Sequence, residues 1–408
     1  MNGSSDCQRS GTRPLLALWL TLITQAMASM ALMAPSVFAP VVAPLLGYAP
    51  QSIGLFVGAI YLAAMFSGLI GGHYVRQIGA IRLSQVAMAL ACIGLLLAAL
   101  AVPALLLLAT LAIGIGYGLT NPTAAHILSH HVPIARRGVF FSIKQTGVPI
   151  GVALAGLLVP LFLKWWFWPG AVAAVAAVVA ATILLLAPYR HTFDVSEGVM
   201  GLNLRAMLAR PLARVMRDPP LRQLGLTSFC YSGAQICFLT FLVSDLKLER
   251  GFSLAHAALA LAAAQITSIA ARPLWGYIAD HFVDPRTLLG LLGLGMAASL
   301  TLLGLLPAAT NAGLVFIVTL LVAATVVGWN GVYFAGLARQ TRPDEIAMVT
   351  GGTQFLTFSG AMVAPVVFAA AVSMFGSYAT SFLLLGLFPL LVGIWLLSQA
   401  RQSRAEIK

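Results

Sequence analysis

Two cationic side chains stand where the surrounding sequence is apolar. Lys144 lies in GVFFSIKQTGVPIG, Gly138 to Gly151, and Arg272 in ITSIAARPLWG, Ile266 to Gly276. An ionised group inside a bilayer costs ~2.5–3.5 kcal/mol on insertion scales, so a charge at depth is by default a functional group. The chemistry these two offer is capture of an anion. A guanidinium gives a carboxylate two parallel hydrogen bonds, and an ammonium gives a compact point charge on a flexible stem. The plainer roles are a lysine snorkelling to headgroups and an arginine bracing a helix end. Gln25, Tyr61, Asn121, Gln145, Tyr231, Gln235, Asn330 and Gln354 add neutral polar groups within apolar runs. They can orient a ligand, or bond helix to helix at ~0.6 kcal/mol each.

The acidic side chains are placed differently. All eleven, Asp194, Asp245, Glu249 and Asp280 among them, fall in loops, tails or the last turn of an apolar run. A cation taken out of water needs a counter-charge, so the sequence disfavours cation efflux and offers no buried carboxylate for a proton relay. A proton could instead travel with the substrate, through a histidine, or not at all. His126, His130 and His131 cluster without cysteine or carboxylate company, so no metal site is expected. No catalytic grouping or cofactor motif is evident, and an enzyme is not expected.

The elements that carry these residues are membrane spans. The chain is 60% hydrophobic and 8% charged, which leaves far too little polar surface for a soluble fold. Twelve apolar runs reach the roughly 20 residues a helix needs to cross a bilayer: about 15–42, 51–71, 80–100, 103–128, 138–163, 166–188, 221–246, 255–279, 286–306, 311–337, 345–373 and 378–399. The first is too long for a signal-peptide core. The fold expected is all-α, with twelve transmembrane helices in two pseudo-symmetric six-helix bundles at 1–188 and 221–408, joined by a cytoplasmic linker at 189–220.

The net charge of +12 reports topology rather than a nucleic-acid partner. With the N-terminus inside, the inner segments carry most of the arginines, six of them between Arg190 and Arg222, while the outer loops carry Lys164, Lys247 and Arg250. This bias places both termini on the cytoplasmic side of an inner membrane. Within the linker, GLNLRAMLARPLARVMRD interleaves apolar residues with arginines, a pattern that can lie among anionic lipid headgroups.

The halves echo one another. Asn121, Gln145 and Gly151 recur as Asn330, Gln354 and Gly360, each 209 residues on, and Gln25 recurs as Gln235 at 210. Such internal repetition marks duplicated transporters. Over its whole length the chain resembles the major facilitator superfamily, whose signature in the loops after spans two and eight is GxxxD followed by basic residues. The second copy is intact in Gly276, Asp280 and Arg286; the first, Gly72 to Arg76 with Gly79 and Arg82, has arginine where the family has aspartate. That departure puts the usual charge-and-helix-end latch of the first half in doubt.

The resemblance implies two bundles alternating access to a central cavity lined by helices one, four, seven and ten, with helices five and eight adjacent. Ala271, Arg272, Pro273 and Gly276 are similar to the ARPxxG of monocarboxylate transporters, in which the arginine is associated with substrate carboxylate. Gln25, Tyr61, Asn121, Gln145, Tyr231, Gln235, Asn330 and Gln354 would complete the site around Lys144 and Arg272. The expectation is a monomeric secondary active transporter for a small organic anion. Efflux of neutral or amphipathic drug-like compounds is the alternative within transport, and a membrane enzyme or receptor the alternative outside it.

Overall fold

The computed structural model describes residues 3–133, 136–194, 204–342 and 345–405. Twelve of its helices are long and apolar enough to cross a membrane. The first six are α1 (Pro14–Leu45), α2 (Pro50–Ile78), α3 (Ala80–Ala99), α4 (Pro103–His131), α5 (Val139–Trp165) and α6 (Trp168–Phe193). After the amphipathic helix Leu204–Arg217 come α7 (Pro219–Leu248), α8 (Leu254–Ala279), α9 (Pro285–Leu305), α10 (Ala312–Gln340), α11 (Met348–Phe375) and α12 (Tyr378–Ala400). The side chain of Asp280 lies outside the described part, as do residues 195–203 of the linker.

Two spans that read as continuous in the sequence are interrupted. In α5 the helix Arg137–Gln145 ends at Thr146, and a second helix, Gly147–Trp165, begins beside it. In α10 the helix Ala312–Val322 passes into a π-helical turn, Ala323–Val327, before helix resumes at Asn330–Gln340. Such turns release backbone carbonyls from the helical ladder and are frequent at functional positions.

The chain forms two compact units. One comprises Met1–Ala34 and Ala63–Leu204; the other comprises Pro35–Leu62 and Arg205–Lys408. In the first, the start of α3 is capped from the end of α6. The backbone N–H of Ile81 donates to Asp194 Oδ1 at 2.6 Å, and Arg82 lies 3.7 Å from Oδ2. Gly79, at φ +93°, has no room for a Cβ against Asp194. Asp194 thus puts a carboxylate at the helix end of a loop whose own signature aspartate is replaced by Arg76. Burial pushes the Asp194 carboxyl above its usual range, against the lowering pull of Ile81, Arg82 and Arg190. Arg190 adds a second tie, donating to Gln85 Oε1 at 2.5 Å.

In the second unit, side chains at helix ends fix the register. Asp218 caps α7 through Leu221 N–H, Asp284 caps α9 through Arg286 and Thr287, and Glu249 accepts from the Tyr378 and Ala379 N–H groups that open α12. Each satisfies donors that a helix start leaves unpaired. The amphipathic helix docks through Val215, which is buried, and through Arg214, which bonds Glu345 at 3.0 Å and Asp218 at 2.9 Å. Arg210 and Arg217 on the same helix are exposed.

Candidate functional site

Lys144 is 1% exposed, and its ammonium is met by neutral oxygens. It donates to Gln25 Oε1 at 2.6 Å, to Asn121 Oδ1 at 2.7 Å and to Gln145 Oε1 at 3.3 Å. Among the described residues no carboxylate pairs with it. The snorkelling role is therefore not what the geometry shows: the stem turns inward, and the charge is held by amide dipoles that solvate it without neutralising it.

The local sequence explains how the lysine is presented. It occupies the last turn before the break at Thr146, so the chain resumes helix just beyond it. Gly147 and Gly151, one turn apart, then press the second half of α5 onto α1, against the Leu22 carbonyl and Gln25 Cβ and against Ser29 and Met30. A side chain at either position would push α5 away and separate Lys144 from Gln25. Gln25 is itself set by Thr120, whose hydroxyl donates to Oε1 at 3.2 Å, and by Ser29, which accepts from its amide nitrogen at 3.3 Å.

The second unit holds a counterpart of this cluster without the charge. Gln235 Oε1 accepts from Asn330 Nδ2 at 3.1 Å and from the Trp329 indole N–H at 2.9 Å. Trp329 stands 209 residues beyond Thr120, and both donate to the glutamine of their own half. The residue 209 beyond Lys144 is Thr353, buried, near the Tyr333 hydroxyl with Ser228 and Thr357. Thr120 and Trp329 are not among the residues the sequence singles out; they differ in type, so the 209-residue offset that matches Asn121 to Asn330 does not pick them out.

The remaining candidates are distributed more widely. Arg272 Nε donates to the Val327 carbonyl at 3.4 Å, and Trp275, one turn on, donates to Ala324 at 2.8 Å. Both therefore serve carbonyls of the π turn in α10. Tyr231 is fully buried, with its hydroxyl on the Leu289 carbonyl at 2.7 Å and its ring edge-on to Trp329. Tyr61 packs edge-to-face on Phe358, and Gln354 is half-buried on α11. Of the loop residues, Arg82 is exposed, Arg76 is half-buried, Gly72 and Gly276 stand in open space, and Arg286 lines an open cleft with Arg339. The His126 and His130 rings lie 4.3 Å apart.

Residues 21–365 match the sequence model of the Major Facilitator Superfamily, and residues 224–408 match it again. The chain belongs to the Major Facilitator Superfamily. As a superfamily member it is a multi-pass membrane transporter and not an enzyme. It is 25% identical over 378 residues to a probable sulfoacetate transporter of Cupriavidus necator, covering 86% of this chain and 85% of that one. It is 28% identical over 315 residues to a probable nitrate/nitrite transporter of Mycobacterium tuberculosis, covering 73% and 74%. Among solved superfamily-type folds, a mutant of the nucleoside transporter NupG superposes with TM-score 0.76 at 14% identity, over 93% of this chain and 99% of that one. A bacterial homologue of the human lysosomal transporter Spinster gives 0.75 at 15% identity, over 95% and 97%. These two likenesses speak for the fold.

One sequence expectation about this transporter is overturned. Asp245, in the last turn of α7, is fully buried, so the reading that no carboxylate is buried does not hold. The sequence placed it at a helix end facing a loop. In the structure that loop folds back, and Arg250 pairs with Asp245 at 3.0 Å with both side chains out of solvent.

Proposed function

We propose that this superfamily transporter moves a small organic anion, a carboxylate or a sulfonate, across the inner membrane by alternating access, as a secondary active transporter with both termini in the cytoplasm. The observation that carries the reading is the Lys144 ammonium, buried and solvated by three amide oxygens with no carboxylate beside it. A buried charge without a counter-ion is costly, and an anion arriving beside it removes that cost. The amide groups of Asn121 and Gln145 can turn N–H toward the newcomer while the ammonium supplies a charge-assisted hydrogen bond. Gln25, held by Thr120 and Ser29, keeps the lysine in place as this happens.

Arg272 is the second cation of the reading. Its Nε donates to the Val327 carbonyl, and Gln235, Asn330, Tyr231, Gln354 and Tyr61 are the neutral groups assigned to orient the substrate. The relatives described as transporters of sulfoacetate and of nitrate or nitrite support an anionic substrate. The inward bias of arginines supports the topology.

Thermal unfolding of the purified chain with acetate, malonate and sulfoacetate tests the reading. A ligand that binds the folded state raises the midpoint, so at least one anion should raise it for the wild type and leave Lys144→Gln unmoved. Equal shifts in both proteins would refute the assignment of Lys144.

A further inference from the structure

Asp245 is half-satisfied. Its Oδ2 accepts from Arg250 Nε at 3.0 Å, whereas Oδ1 is buried with no hydrogen-bond partner. The hydroxyls of Ser244 on α7 and Tyr378 on α12 are buried in the same region. The Tyr378 hydroxyl faces that of Ser244, within the field of the Asp245 carboxylate. An ionised oxygen buried without a donor is among the most costly arrangements a protein can hold.

The partner of Asp245 does not depend on it. Arg250 also donates through Nη1 to the Leu306 carbonyl at 3.1 Å and through Nη2 to the Leu303 carbonyl at 2.8 Å. These are the unpaired oxygens at the C-terminal end of α9, where the helix dipole favours a cation. The guanidinium therefore keeps its acceptors whether or not Asp245 is charged. A proton on Oδ1 leaves Oδ2 on Arg250 and removes the charge from the bare oxygen.

We propose that Asp245 is the proton-binding residue of this transporter. The step is simple: one proton passes from water to Oδ1, one O–H bond forms, and the charge of the Asp245–Arg250 pair rises by one. On release the proton returns to water. On the topology proposed above, the site lies at the outward end of α7. The charged groups facing it are Arg250 and Glu249, the latter held by the first N–H groups of α12. Tyr378 is the titratable group on α12, α9 presents the Leu303 and Leu306 carbonyls, and on the remaining side Phe241 stacks on Phe368 of α11. A proton carried with a monoanion makes the cargo electrically neutral. That consequence rests on the anion reading, while the proton site itself does not.

Infrared titration of the full chain in lipid nanodiscs reads the site without any substrate. The wild type should show a protonated-carboxyl stretch that Asp245→Asn lacks and that Asp245→Glu keeps at a shifted frequency. Superimposable spectra for the wild type and Asp245→Asn across the pH series would overturn the proposal, because the carboxylate would then stay ionised with an ordered water at Oδ1. If Asp245→Asn does not fold, the presence or absence of the frequency shift in Asp245→Glu decides alone. In proteoliposomes with sulfoacetate as probe, Asp245→Asn should lose the stimulation by a proton gradient that the wild type shows. Stimulation equal to that of the wild type would also overturn it. The infrared result stands whether or not sulfoacetate is moved, so failure of the anion reading and failure of this one are told apart.

Discussion

The Lys144 ammonium donates to Gln25 Oε1 at 2.6 Å across 119 residues of sequence. That bond joins α5 to α1 inside the first unit, and it holds a positive charge in place through an oxygen that carries no formal charge. The same Gln25 oxygen accepts from Thr120, so loss of the amide should loosen three helices together. Gln25→Leu should lower stability by ~1.5–3 kcal/mol, the range for hydrogen bonds to charged groups, whereas Thr120→Val should cost ~0.5–1.5 kcal/mol. Thermal unfolding in detergent measures both; equal midpoints for the two variants would contradict this ordering.

Arg272 and Trp275 donate to carbonyls of the same π turn, which allows bracing to be separated from binding. Trp275→Phe and Arg272→Ala should each cost ~0.5–1.5 kcal/mol of stability. Only Arg272→Ala should also abolish anion uptake. If both variants transport like the wild type, Arg272 is a brace and nothing more.

At the start of α3, Asp194 does the work of an N-cap from a distant segment. Asp194→Ala should cost ~0.5–2 kcal/mol, and Gly79→Ala should cost at least as much, since the backbone there is left-handed and the space is filled. The raised carboxyl has a definite sign. The folded state takes up this proton at higher pH than the unfolded state does, so the contribution to stability grows as pH falls toward the ordinary value of 3.8. Unfolding of the wild type and Asp194→Asn should therefore converge on acidification. Curves that stay parallel would mean burial does not govern this group.

Glu345 behaves in the opposite sense. The hydrogen bond from Arg214 holds its carboxyl below the ordinary value of 4.5. Its contribution is complete above that value and disappears as pH falls through the lower folded one. Because both side chains keep more than a quarter of their surface in solvent, salt should weaken the pair as well. Glu345→Gln should remove both dependences from the docking of the Leu204–Arg217 helix, which proteolysis of the linker can follow.

Much of this was legible in the sequence because the bilayer demands it. Twelve apolar runs, an inward arginine bias and the 209-residue offset locate the spans and single out Lys144, Gln25, Asn121 and Gln145, which the fold brings together. The break at Thr146 had a signal in Gly147 and Pro149 just beyond it, which the sequence reading did not use, whereas the one at Ala323–Val327 lies in a strongly apolar run with no proline. Trp329 escaped because an indole in an apolar helix reads as packing until its N–H is seen on Gln235. Asp245 and Asp194 escaped for a related reason. Each stands at a helix end that looks exposed in one dimension, and only the fold shows what covers it.

The central claim is that Lys144 holds the transported anion. Uptake of labelled acetate, malonate and sulfoacetate into proteoliposomes, wild type beside Lys144→Gln, tests it most directly. Loss of a charge-assisted bond of ~1.5–3 kcal/mol corresponds to a roughly 10- to 150-fold fall. Saturable uptake of at least one of these anions is expected for the wild type, with a fall of that size in the variant. Uptake at equal rates by both proteins, or no uptake of any of the three by the wild type, would contradict it.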